Sequence, residues 1–141
     1  MSGFKILDVG SGSGWTSALL AHIVSTNGRG KVYAMELLPE LCTFGKKNIE
    51  KYHFIEKGTV AHFCKDATQG LPEYAPFDRL IAAAAAAAET FPEAWLGQLK
   101  PGGRLVAPVQ SNIWLYTKNK AGEISRVAYP GFAFVPLVTP S

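Results

Sequence analysis

The chain has 141 residues, a length that suits one domain over 1–141, because single cores typically enclose roughly 100 to 200 residues. Hydrophobic residues make up 48% and charged residues 18%, which supplies enough apolar side chain to offset ordering entropy and excludes a disordered polymer. The net charge of +3 is scattered and the longest apolar run, Leu80 to Ala88, is far below the roughly 20 residues of a bilayer span, so neither nucleic acid nor membrane is an expected partner.

Phe4 to Val9 reads as a buried strand, followed by a Gly/Ser loop and a helix from about Trp15 to Ser25, stopped by Thr26-Asn27-Gly28. That helix is expected to turn Leu19, Leu20, Ile23 and Val24 inward. Lys31 to Glu36 is the second strand. Pro39 then opens a helix carrying Leu41, Phe44, Asn48 and Ile49 towards Tyr52. Thr59 to Cys64 and Phe77 to about Ala83 are the third and fourth strands, separated by a loop marked by Gly70, Pro72 and Pro76. Ala82 to Ala88 is an unbroken alanine run to which no chemistry is assigned; small residues at a strand's carboxyl end either leave space for a ligand or serve as a plain linker. Pro92 to Leu99 gives a short helix ending at Pro101-Gly102-Gly103, and Arg104 to Val109 is the fifth strand. Only Gln110, Ser111 and Asn112 separate it from Ile113 to Thr117, too few for a crossover helix, so that connection must be an antiparallel hairpin. A further turn leads into Arg126 to Phe134. The expected fold class is α/β: a mostly parallel, doubly wound, Rossmann-like sheet ending in an antiparallel meander.

Cys42 and Cys64 are too few for a disulfide framework, and no Cys/His grouping in the sequence has the spacing of a zinc site. A reduced, cytoplasmic chain without a metal is expected. The residues before Lys5 leave no room for a secretion signal.

The chemistry concentrates in Asp8-Val9-Gly10-Ser11-Gly12-Ser13-Gly14, which joins the first strand to the first helix where backbone must turn sharply against a ligand. A dinucleotide fingerprint needs a small residue at position 15, where Trp15 stands, so the loop fits GxGxG better than GxGxxG. The former is the pattern of S-adenosylmethionine methyltransferases. Glu36 ends the second strand, where a carboxylate can accept hydrogen bonds from two ribose hydroxyls, with Leu37 beside it. Asp66, with Ala67, ends the third strand, where it can meet an adenine amino group or instead cap the turn at Thr68. Asp8 either orients a ligand amino group through water or bonds within its own loop.

These blocks, taken in order, resemble the class I S-adenosylmethionine-dependent methyltransferases, and within them the protein-L-isoaspartate (D-aspartate) O-methyltransferase family. Leu7 to Ser17, Met35 to Leu41, Lys65 to Gly70, Pro76 to Ile81 and Gln98 to Leu105 resemble successive family motifs. The ending Phe132-Ala133-Phe134-Val135-Pro136-Leu137-Val138 is the most family-specific. The resemblance implies S-adenosylmethionine as cofactor and methyl transfer to the isoaspartyl carboxylate of damaged proteins. It further implies cofactor contacts from Asp8, Gly10, Ser11, Gly12, Gly14, Glu36, Leu37, Asp66 and Ala67. Family members also carry an amino-terminal segment with a Ser/Thr-x-Pro-His-type motif and the serine held responsible for activity. This chain is therefore expected to be a truncated member, a fragment of a longer product or a reduced homologue that retains the cofactor half, with no catalytic residue identified in it. The alternatives are a cofactor-binding module without independent turnover and a methyltransferase of small molecules.

The attacking carboxylate would already be anionic, so no strong base is required. His22, His53 and His62 are expected to be structural, Lys65 and Arg79 solvated, and Trp15, Trp95 and Trp114 in core or interface. Phe132 and Phe134 would alternate along the last strand, and an apolar patch near Val135 would favour self-association.

Overall fold

Alternation of side chains along extended backbone sends Ile6, Val32, Ala34 and Val60 to one face of a sheet and Leu7, Val9, Tyr33 and Met35 to the other. The computed structural model describes residues 3–26, 28–84 and 92–140. Its strands are β1 (Lys5–Val9), β2 (Lys31–Glu36), β3 (Val60–Cys64), β4 (Phe77–Ala82), β5 (Leu99–Val109), β6 (Asn112–Lys118) and β7 (Ile124–Pro130). The helices are α1 (Trp15–Ser25), α2 (Pro39–Glu50) and α3 (Glu93–Gly97). The seven strands lie in the order β3-β2-β1-β4-β5-β6-β7. β1 to β5 pair parallel, and β6 and β7 add as an antiparallel meander, as expected.

Register aligns Tyr33, Leu7, Leu80, Leu105 and Tyr116 in one row across five strands, and Trp95 of α3 packs into the same cluster. On the opposite face Ala21 and Val24 of α1 and Ile49 of α2 cover Ile6, Val32 and Val60. Helices therefore flank both faces. Trp95 is fully buried, and its indole Nε1–H donates to the Ala67 carbonyl at 2.8 Å.

Several expected details differ. The buried residues of α1 are Ser17, Ala18, Ala21 and Val24, while Leu19 and Ile23 are exposed. Those of α2 are Cys42, Gly45 and Ile49, while Leu41 and Phe44 are exposed. α2 meets the glycine loop at Gly45, where a Cβ would lie 2.4 Å from the Gly12 carbonyl oxygen, so that part of its inner face has no room for a side chain. Trp15 is also exposed rather than packed. β5 begins at Leu99, not Arg104, because its register against β4 shifts between Phe77 and Arg79 and a bulge absorbs Pro101-Gly102-Gly103. β7 stops at Pro130, so Phe132 and Phe134 do not alternate on a strand but lie beyond it, exposed, with ring centroids 6.5 Å apart. Of the alanine run, Ala82 closes β4, whereas residues 85–88 lie outside the described residues. Among the described residues no helix is long and apolar enough to cross a membrane.

Cys42 and Cys64 are not separate thiols: they are joined in a disulfide, with Cα atoms 5.7 Å apart. α2 lies over β3 and so brings together two residues 22 positions apart, a proximity that linear spacing does not reveal.

Candidate functional site

In an open α/β sheet the strand order reverses where the chain winds first one way and then the other, and the crevice at the carboxyl ends of those strands receives ligands. Here the reversal falls between β1 and β4. A cleft of about 290 Å³ opens there, floored by Val9, Gly10, Gly12, Met35 and Glu36 and flanked by Leu37, Leu41, Ala67 and Ala83. That is near the lower end of the roughly 300 to 1,000 Å³ typical of small-ligand sites.

The glycine loop is held in place by backbone bonds. Gly10 and Ser11 both donate their N–H to the Met35 carbonyl, at 2.9 and 3.0 Å, which binds the loop to the end of β2. Gly14 caps α1 in left-handed backbone with φ of 82°, and a Cβ there would lie 2.5 Å from the Gly45 carbonyl oxygen. Only glycine meets both demands. Glu36 completes the arrangement. Its Oε1 accepts the Gly12 N–H at 2.9 Å and its Oε2 accepts the Leu38 N–H at 3.0 Å. The carboxylate is nearly buried, and each oxygen keeps a lone pair for a further donor.

The other expected residues divide. Asp8 is buried beneath the loop and accepts the Ser17 hydroxyl at 2.5 Å on Oδ2, while its buried Oδ1 has no partner among the described residues. Burial pushes its pKa up to about 6, against the Ser17 bond, which lowers it, and with a smaller push from the Glu36 charge. Asp66 accepts the Thr68 N–H at 3.1 Å and the Thr68 hydroxyl at 2.7 Å, the turn-capping arrangement. Thus Gly10, Gly12, Glu36, Leu37 and Ala67 line the cleft, whereas Asp8, Ser11, Gly14 and Asp66 stand outside its lining.

Some residues at the cleft were not among the expected cofactor contacts. Val135, Pro136, Leu137 and Val138 form one wall, and Leu137 packs against the main core. The carboxyl-terminal segment is therefore a part of the site rather than an uncovered patch alone. Ala83 and Ala84 line the cleft as well, where small residues at the end of β4 leave space for a ligand. Met35 and Leu38, both within the Met35 to Leu41 block, are further lining residues. His62, expected to be structural, places Nε2 3.4 Å from Ser11 Oγ and Nδ1 3.4 Å from Cys42 Sγ. Burial, then the Lys46 charge, holds its pKa below the usual value, with Glu36 opposing. Lys65 is paired with Glu73 at 3.2 Å, on the surface.

With this geometry in hand, comparison with known proteins is direct: residues 1–141 match the family model of protein-L-isoaspartate(D-aspartate) O-methyltransferases. The chain belongs to that family. Among curated relatives, the protein-L-isoaspartate O-methyltransferase of Thermococcus onnurineus is 43% identical over 141 residues, covering 96% of this chain and 60% of its own length. That of Methanopyrus kandleri is 42% identical, covering 96% of this chain and 59% of its own. The chain thus spans about 60% of the length of such relatives. A solved structure of a Plasmodium falciparum protein described as a protein-L-isoaspartate O-methyltransferase, in complex with S-adenosyl-L-homocysteine, superposes with a TM-score of 0.77 at 22% identity. It covers 96% of this chain and 66% of that one. An S-adenosylmethionine-dependent methyltransferase from Thiobacillus denitrificans superposes at 0.61 with 20% identity, over 75% of this chain and 42% of that one. These superpositions establish the class I methyltransferase fold of this family member.

Proposed function

We propose that this chain is the cofactor-holding unit of a protein-L-isoaspartate O-methyltransferase, with S-adenosylmethionine as methyl donor and the isoaspartyl carboxylate of damaged proteins as acceptor. The observation that carries the reading is Glu36: a nearly buried carboxylate at the end of β2, tied to the Gly12 and Leu38 amides, with one lone pair per oxygen facing no described donor. Two adjacent hydroxyls of a ribose are the donors that such a pair suits. The donor set therefore fits an adenosyl group. Gly10 and Gly12 let backbone approach the ligand, while Met35, Leu37, Leu41 and Ala67 offer apolar surface to an adenine ring. Asp66 is assigned to the adenine side through its remaining acceptor capacity. Ser11 and Gly14 are assigned to loop shape, and Asp8 to orienting the ligand ammonium through water.

When bound, S-adenosylmethionine supplies a methyl group made electrophilic by its positive sulfur. The acceptor carboxylate is ionised at neutral pH, so the protein has no proton to remove and acts by alignment and exclusion of water. Val135, Pro136, Leu137 and Val138 contribute an apolar wall for that purpose.

The test is transfer of a labelled methyl group from S-adenosylmethionine to an isoaspartyl peptide, with the matching aspartyl peptide as control. Label in the isoaspartyl peptide alone is the expected result. Equal labelling of both peptides would refute the substrate assignment, and cofactor binding without any labelling would confine the chain to holding the cofactor.

A further inference from the structure

We propose that Cys42, His62 and Cys64, once their disulfide is reduced, form a three-ligand site for a thiophilic divalent cation of the zinc type. His62 and Cys64 are two positions apart on β3, so both side chains leave the same face of the strand. Cys42 of α2 lies over that face, and the three potential ligand atoms all fall within 4.8 Å of one another. The Cys42 Sγ to His62 Nδ1 distance is 3.4 Å. A tetrahedral metal with bonds of about 2.3 Å to sulfur and about 2.0 Å to nitrogen separates those atoms by about 3.5 Å. The two cysteine Cα atoms, 5.7 Å apart, also leave room for the sulfurs to separate around a shared ion.

The other nitrogen of His62 lies 3.4 Å from Ser11 Oγ. Metal-bound histidines generally engage a hydrogen-bond partner through the remote nitrogen, which fixes the ring. Cys64 is exposed, so an ion has an approach and water can take the fourth position. In the disulfide form His62 reaches Cys42 Sγ only through a long 3.4 Å contact, whereas a metal would use all three groups as ligands. This proposal does not depend on the methyltransferase reading.

The chemistry balances with an external dithiol. Exchange transfers two electrons and two protons to Cys42 and Cys64 while the reductant closes its own disulfide. Metal binding then releases the two thiol protons to solvent.

The experiment is a titration of the full chain with Co²⁺ under anaerobic conditions, after reduction and removal of the reductant. The expected result is a sulfur-to-cobalt charge-transfer band that saturates at one equivalent, is abolished by excess Zn²⁺ and is absent from the disulfide form. His62→Ala should weaken Co²⁺ binding at least ~10-fold, no less than loss of an outer partner costs. Cys64→Ser, at an exposed position, should lower the charge-transfer intensity without altering the circular dichroism spectrum. Absence of the band in the reduced wild-type chain would overturn the proposal, whatever the variants do. So would unchanged Co²⁺ affinity in both variants.

Discussion

Asp8 is a carboxylate kept out of water with only one of its oxygens satisfied among the described residues. Its pKa rises from 3.8 unfolded to about 6 folded, chiefly through burial. Between those values the native chain keeps a proton that the unfolded chain has released, so stability falls as pH rises through that window. The loss totals roughly 3 kcal/mol, since each pKa unit corresponds to about 1.4 kcal/mol. Asp8→Asn retains an acceptor for Ser17 and carries no charge. We predict that it is more stable than wild type at pH 7.5, by about 2 kcal/mol, and gains much less at pH 4, as read by urea denaturation at both values. An equal difference at the two pH values would contradict the assignment. Glu36 was legible in the sequence because a strand end after a glycine loop calls for an acid there. The orphaned Oδ1 of Asp8 was not, because it depends on which groups the first helix places over the loop.

At the scale of elements, the loop and α2 approach each other at Gly45. Glycine in a helix interior ordinarily costs about 1 kcal/mol relative to alanine. Here an added Cβ would lie 2.4 Å from the Gly12 carbonyl oxygen, and overpacking against backbone costs about 1–3 kcal/mol. The clash should win. Gly45→Ala is predicted to lose about 1 kcal/mol net in urea denaturation, and a stabilised variant would show that the loop and helix are looser than described. α1 and β2 lie where the sequence suggests, because a glycine loop precedes the helix, Thr26-Asn27-Gly28 follows it and an apolar β-rich run ends at Glu36. The packing of α1 was legible only in part: Val24 is buried as its hydrophobicity suggests, but Leu19 and Ile23 are exposed and Ser17, Ala18 and Ala21 take the buried face instead. Pro101-Gly102-Gly103 is likewise a turn signal locally, and becomes strand only because β4 offers a partner with a bulge.

For the molecule as a whole, the parallel sheet and its antiparallel end followed from connection length: three residues permit a hairpin and nothing longer. The place of residues 135–138 in the cleft wall did not, since a local motif does not show that the last residues meet the first loop. Phe132, Phe134, Val135 and Val138 of the same segment remain exposed, Val135 by 72%. Large exposed apolar side chains grouped together favour association. We therefore predict a concentration-dependent dimer in sedimentation velocity, weakened in Phe134→Ser; a monomer at every concentration would contradict it. The central claim concerns the cleft itself, and calorimetric titration with S-adenosylhomocysteine tests it most directly. The wild-type chain should bind one equivalent, and Glu36→Gln should weaken binding roughly 10- to 100-fold, the effect of losing hydrogen bonds to a charged acceptor worth about 1.5–3 kcal/mol. No heat of binding with wild type, or equal affinity in Glu36→Gln, would contradict the account.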